Sequence, residues 1–211
     1  MTIDRPYYDN HDIPTYQVRA SFDATTVRVY QAFPNEIADA ALANGTFVSP
    51  PFSMTRMTWI KPSFLWMMYR SGWAAKDERQ KRVLAIDISR EGFEWALQHA
   101  CLSHCPDYLT EHEWRRKKEA SPVVIQCDPE KDIFLRPLRH RAIQIGLGGV
   151  SVKLYVAEWI KRISDVTGLA THMHQLVEAS ELEEAYKLLP HEAPYPVNVD
   201  DILPVRQSIV L

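Results

Sequence analysis

The residues best suited to chemistry lie between Arg56 and Trp73, where Arg56, Lys61 and Arg70 are set among Trp59, Trp66 and Tyr69. Cations beside flat π-faces suit a ligand that carries phosphate: the charges clamp the anion and the rings stack its planar part. Read so, the stretch is a recessed anion site walled by aromatics. The structural alternative has Arg70 answering a helix C-terminal dipole while Arg56 and Lys61 extend their heads to solvent. Other constellations carry less. Gly146-Leu-Gly-Gly149 offers bare amides ahead of a helix, but no Lys-Ser/Thr follows and no third glycine completes a dinucleotide fingerprint. A tight turn explains it as well. Cys101-x-x-His104-Cys105 has ligand types at short spacing, yet Cys127 is the one further thiol, so a closed zinc site lacks its set and no metal is expected. His172 and His174, two apart on a helical stretch, point to different faces. No Gly-x-Ser-x-Gly elbow marks a nucleophilic serine.

The elements that must position these groups follow from propensity and period. Thr58, Trp59 and Ile60 favour a strand, Pro62 suits the first position of a helix, and Phe64 to Tyr69 is apolar on every face, as in a buried helix. Gly72 supplies its left-handed stop. Upstream, Tyr16–Phe22 and Val27–Phe33 read as strands of a hairpin around Asp23-Ala-Thr-Thr26, followed by a helix from Asn35 to Ala43 that Asn44-Gly45 ends. Downstream come a strand at Val83–Ile88, a helix capped by Ser89 running to about Cys101, and a helix in a capping box at Thr110-Glu-His-Glu113. Its Arg115-Arg-Lys-Lys118 run reads as a solvated face. Val123–Gln126 is a strand and Asp128-Pro-Glu-Lys-Asp132 a turn. Arg141–Ile145 is a strand on which Arg141 and Gln144 fall on opposite faces. A long amphipathic helix through Val152, Tyr155, Trp159, Ile160 and Ile163 follows, then helices at Thr167–Ala179 and, from a second capping box at Ser180-x-x-Glu183, Leu182–Leu189. Strands and helices alternate irregularly, which predicts a single mixed α+β domain over 1–211 with small antiparallel sheets. Residues 1–14 read as an irregular arm and 190–211 as a proline-rich tail that wraps the domain.

Composition narrows the classes. The chain has 211 residues, 46% hydrophobic and 24% charged, enough for one substantial core. A net charge of −3 argues against bulk capture of nucleic acid or anionic membrane, while leaving room for a local basic groove. No apolar run approaches a membrane span, the N-terminal stretch lacks the apolar core of a secretory signal, and three cysteines make no disulfide framework. A cytoplasmic protein with no membrane partner is expected.

Several segments together resemble a known family: Arg56–Trp73, Val29-Tyr30-Gln31-Ala32, Gln126-x-Asp128-Pro129-Glu130 and Arg141-x-Ile143-Gln144-Ile145-Gly146-Leu147. They are similar to the uncharacterised family called domain of unknown function 4291, over roughly Arg19 to Thr167. Where that family usually has tryptophan and arginine, this chain has Cys127 and Lys131. The family is grouped remotely with the ADP-ribosyltransferase-like fold, which splits NAD in a cleft between two small sheets using an early-strand arginine or histidine and a late glutamate. The resemblance implies NAD as substrate, Tyr30, Tyr69 and Gln144 as catalytic candidates, and Arg19 (or Arg28) on an early strand. It implies nucleotide or anion contacts from Arg19, Gln31, Arg56, Trp59, Lys61, Arg70 and Arg141. No late glutamate aligns: Glu111 and Glu113 sit in the capping box, and the Gln144 amide cannot replace a carboxylate. Two functions remain, an NAD-using transferase acting on nucleic acid or protein, and a non-catalytic module that grips a nucleotide or nucleic acid.

Overall fold

The computed structural model describes residues 13–197, so most of the expected N-terminal arm and the end of the proline-rich tail lie outside the described residues. Two sheets organise the chain. The first joins β2 (Thr26–Phe33), β4 (Arg82–Ser89) and β8 (Ile160–Asp165), antiparallel in the order β2-β4-β8. The second has the order β3-β7-β6-β5, from β3 (Thr58–Ile60), β7 (Pro137–Leu147), β6 (Val123–Lys131) and β5 (Ala100–Leu102). Only its β5–β6 pair is parallel. A short third pair links β1 (Arg19–Ala20) to β9 (Ala193–Pro194). The domain is thus mixed α+β with small, mainly antiparallel sheets, as the irregular alternation of elements predicts.

Alternation along the strands divides the interior. Val27, Val29, Ile86 and Ile88 meet Val123, Ile125, Ile143 and Ile145 in one hydrophobic core, so the two sheets face each other across it. Tyr30, Val83 and Ala85, on the other face of the first sheet, pack in a second core. There they meet α2 (Phe64–Ser71), α6 (Thr167–Glu178) and α7 (Leu182–Leu188). Helices α1 (Asn35–Asn44) and α3 (Arg90–Gln98) pack into the first core through Ala38, Ala41, Phe93, Ala96 and Leu97. Helix α4 (Glu111–Ala120) keeps both halves of its capping box. Among the described residues no helix is long and apolar enough to cross a membrane.

The element between β3 and the polar connector is the one the sequence described best. Phe64 to Met68 are buried and Gly72 closes the helix at φ 55°, ψ 51°. Pro62, however, is not the first helical residue: Ser63 is the N-cap, its hydroxyl accepting from the Trp66 amide at 3.1 Å. Tyr69 is 40% exposed, so the helix has one open edge.

Several boundaries move for identifiable reasons. Arg19–Ala20 pairs with β9 rather than completing a hairpin, of which only the Phe22–Val27 bridge remains. α3 stops at Gln98, and Ala100 and Cys101 join β5. The long helix expected after Gly149 is five residues of α5 (Val150–Leu154) and a π-helical turn, Tyr155–Trp159. Ile160 and Ile163 then belong to β8. Ser180 has φ 61° and caps nothing, so α7 starts without its box. The supposed turn at Asp128 is strand: β6 runs on to Lys131, with a bulge between Pro129 and Lys131. Pro129 is tolerated because β5 pairs only with Val123–Ile125, which leaves that side of β6 an edge.

Candidate functional site

With Ile125, Cys127, Ile143 and Ile145 turned into the core, alternation puts Val124, Gln126 and Asp128 of β6 on the opposite face, as far as the bulge after Pro129. Ala142, Gln144 and Gly146 of β7 share that face, as do Trp59 and Lys61 at the β3 edge. A Cβ at Gly146 would come within 2.7 Å of the Met57 sulfur and about 3.0 Å of the Trp59 ring, so this glycine lets the indole lie on the sheet. The glycine-rich stretch is therefore no phosphate turn. Gly146 and Leu147 are strand, and the Gly148 amide is used by the Pro122 carbonyl and the Ser151 hydroxyl.

Asp128 is the fixed anion of this face. The Gln126 amide donates to its Oδ1 and the Gln144 amide to its Oδ2, each at 2.9 Å. Two motif fragments far apart in sequence thus meet on one carboxylate, leaving it held in one orientation and half exposed. Lys61 stands close by. Its backbone exchanges hydrogen bonds with Tyr30 (2.8 and 3.1 Å), a bridge between the two sheets, so it sits where they part. Its ammonium donates to the Trp59 carbonyl at 3.2 Å. Burial, then the charge of Arg70, pushes the Lys61 amine down to about 7, with Asp128 opposing. Arg70 itself is exposed at the end of α2. Next to it the Lys131 ammonium lies 3.9 Å from the Tyr69 ring centroid and 5.5 Å from that of Trp66, and the two rings stack at 5.1 Å. The Trp66 indole N–H is buried without an acceptor among the described residues.

Beyond the β6 bulge the N-terminus of α2 covers two buried carboxyls. Ser63 donates to Glu130 Oε1 at 2.9 Å and the Lys131 amide to the same oxygen at 2.8 Å. Glu192, arriving with β9, accepts from the Phe64 amide at 2.7 Å. Burial raises both carboxyls above the ordinary range, and the negative field of Glu130 raises Glu192 further; Arg19 pulls the other way on both. Tyr30 is wholly buried nearby. Its hydroxyl faces Ser21 and Glu192 but has no well-formed hydrogen bond among the described residues.

Proton linkage gives this pair a visible signature. A carboxyl whose folded pKa exceeds its unfolded value binds protons more tightly when folded, so its contribution to stability is lost as pH rises. The ordinary carboxyl value is 4.5, and burial holds both folded carboxyls above it. The loss therefore sets in above about pH 4.5 and continues toward neutral pH. Lys61 above pH 7 and buried His140 below pH 6.5 act in the opposite direction, so the informative quantity is the difference between two proteins. Glu130→Gln keeps the acceptor for Ser63 and removes one charge. It is expected to gain on the order of 1–3 kcal/mol relative to the wild type between pH 5 and pH 8. Urea denaturation across that range measures it, and parallel profiles for the two proteins would refute the raised Glu130 carboxyl.

The residues named from sequence divide accordingly. Trp59, Lys61, Tyr69, Arg70 and Gln144 gather around the Asp128 face. Arg56 is exposed ahead of β3, its backbone amide donating to the Ser53 hydroxyl at 3.3 Å. Gln31 is structural, tied to Thr58, the Trp59 carbonyl and the Tyr155 hydroxyl. Arg19 donates to Gln17 and to the Glu192 carbonyl, beside the carboxyl pair. Arg28 is locked to Asp87 at 2.7 Å. Arg141 alternates to the other face, where its charge acts on Cys127. Sequence reasoning missed Asp128, Glu130, Lys131 and Glu192. The available signal was the period-two run Gln126-x-Asp128-x-Glu130, a polar face on a strand.

A family model described as Domain of unknown function (DUF4291) matches residues 17–195, and the chain belongs to that family. No curated protein matches it.

Proposed function

We propose that this sheet face binds NAD and splits its nicotinamide–ribose bond, making the protein an ADP-ribosyltransferase-like transferase. The observation that carries the reading is Asp128, an oriented carboxylate beside Lys61 and Arg70 where the two sheets part. In this scheme Lys61 and Arg70 hold the pyrophosphate, and Trp59 or Tyr69 stacks the planar group. The bond from the nicotinamide nitrogen to ribose C1′ breaks, its electron pair leaving with neutral nicotinamide. The oxocarbenium ion left behind is stabilised by the Asp128 carboxylate, which Gln126 and Gln144 keep aimed without reorganisation. An acceptor oxygen or nitrogen then attacks C1′ and loses its proton. Gln144 is a positioning residue here, and Asp128 takes the place of the late glutamate.

The Lys61–Arg70 pair also supports simple nucleotide binding, since a clamp and a stacking wall need no reaction. Measuring nicotinamide release from NAD together with ADP-ribose affinity tests the proposal. Release with saturable ADP-ribose binding is expected. Binding without any release, with and without nucleic acid or protein acceptors, would leave a non-catalytic nucleotide module. Neither binding nor release would end both readings.

A further inference from the structure

The sheet face that carries Asp128 has a second recess at its other edge. In β5, Ala100 and Leu102 pack into the core, so Cys101 between them turns to the face shared by its register partner Val124 and by Gln126. It opens into a cavity of about 400 Å³ with Tyr108, Trp114, Lys117 and Pro122 among its walls. That volume is of the order of a small-ligand site. No carboxylate lines it among the described residues. The Trp114 ring is fixed: its N–H donates to the Leu102 carbonyl at 2.9 Å, and the Lys118 ammonium lies 4.5 Å from its centroid. Tyr108 is 38% exposed. On α4, Arg115 is answered by Glu111, whereas Arg116 and Lys117 are exposed and have no ion pair among the described residues.

A fixed indole, an open phenol and the exposed Arg116 and Lys117, which share the field of Glu113 without an ion pair, complement a π-face joined to an anion, and no acid is among the described lining residues. We propose that this recess is the acceptor subsite and that the acceptor is single-stranded nucleic acid. One base stacks on Trp114 or Tyr108, and the adjoining phosphates meet Arg116 and Lys117. Asp128 lies on β6 four residues beyond Val124, the register partner of Cys101, about 13 Å along the strand and within reach of an extended chain seated at the recess. The acceptor role rests on the transferase reading; the binding itself does not.

The test is fluorescence anisotropy of labelled single-stranded DNA and RNA oligonucleotides with the full chain, without NAD, at low and moderate salt. Saturable binding that weakens with salt is expected. Tyr108→Ala and Lys117→Glu, both at exposed positions, should each weaken it about ten-fold. Both should leave ADP-ribose affinity unchanged. Absence of oligonucleotide binding by the wild type, or wild-type binding by both variants, would overturn the proposal. If the variants lose oligonucleotide binding but the wild type neither binds ADP-ribose nor cleaves NAD, the nucleic-acid site stands and the transferase reading alone falls.

Discussion

Asp128→Asn is expected to slow nicotinamide release from NAD by about 10²–10³-fold, the usual effect of removing one preorganised electrostatic partner of a transition state. The substitution keeps the size of the side chain but deletes the charge. It also replaces one acceptor oxygen with an NH₂ group, facing an amide that now donates to it. One of the two glutamine side chains can answer by turning its amide over, so the fold should survive. ADP-ribose has no leaving nicotinamide and develops no positive charge at C1′, so its affinity should change by no more than a few-fold. Gln144→Leu should lie between the two, because Gln126 still holds one oxygen. Turnover of Asp128→Asn at the wild-type rate would remove Asp128 from the chemistry.

Trp66→Ala should cost roughly 3–5 kcal/mol of folding stability, in line with truncating a packed aromatic. Trp66 is only 5% exposed, stacked on the Tyr69 ring at 5.1 Å with the Lys131 ammonium 5.5 Å from its centroid. Its removal opens a void under that ammonium and frees Tyr69, so nucleotide affinity should fall along with stability. Trp66→Phe restores much of the volume without the unpartnered N–H and separates the two effects. Recovered stability with poor ADP-ribose binding would assign the indole N–H to the ligand. Urea midpoints for both variants decide the matter, and a loss below about 1 kcal/mol for Trp66→Ala would mean that the wall is not packed.

Legibility followed the range of the interactions. Helix α2 could be read from its own residues, since its apolar faces and its Gly72 stop are local, and only its start moved, from Pro62 to the Ser63 cap. The Lys61–Arg70 association was likewise within reach, being nine residues apart across one cap and one helix. Pro129 hid Asp128: a proline between acids signals a turn, and only the short extent of β5 explains why a strand tolerates it there. Glu192 was invisible for a different reason. Its partner, the Phe64 amide, is 128 residues away, and nothing in a proline-rich tail announces that it will deliver a buried carboxyl. The helix expected through Ile163 failed because Trp159 completes a helical stripe just as the chain turns into β8, and apolar period alone does not register that exit.

The central claim is that Lys61 and Arg70 form one anion clamp, and the pH dependence of ADP-ribose affinity tests it most directly. Free Lys61 titrates near pH 7, and only its charged form can hold a phosphate, so binding draws a proton from solvent above that pH. Calorimetric titration should find affinity about ten-fold weaker at pH 8 than at pH 6, which follows from the fraction of Lys61 that is charged. Lys61→Met fills the same buried sleeve without the charge, so it should bind weakly at both pH values and stay folded. Arg70→Ala should also bind less tightly but shift the pH dependence upward, because the cation that depresses Lys61 is gone. An affinity that is flat from pH 6 to pH 8 and unchanged in both variants would contradict the clamp.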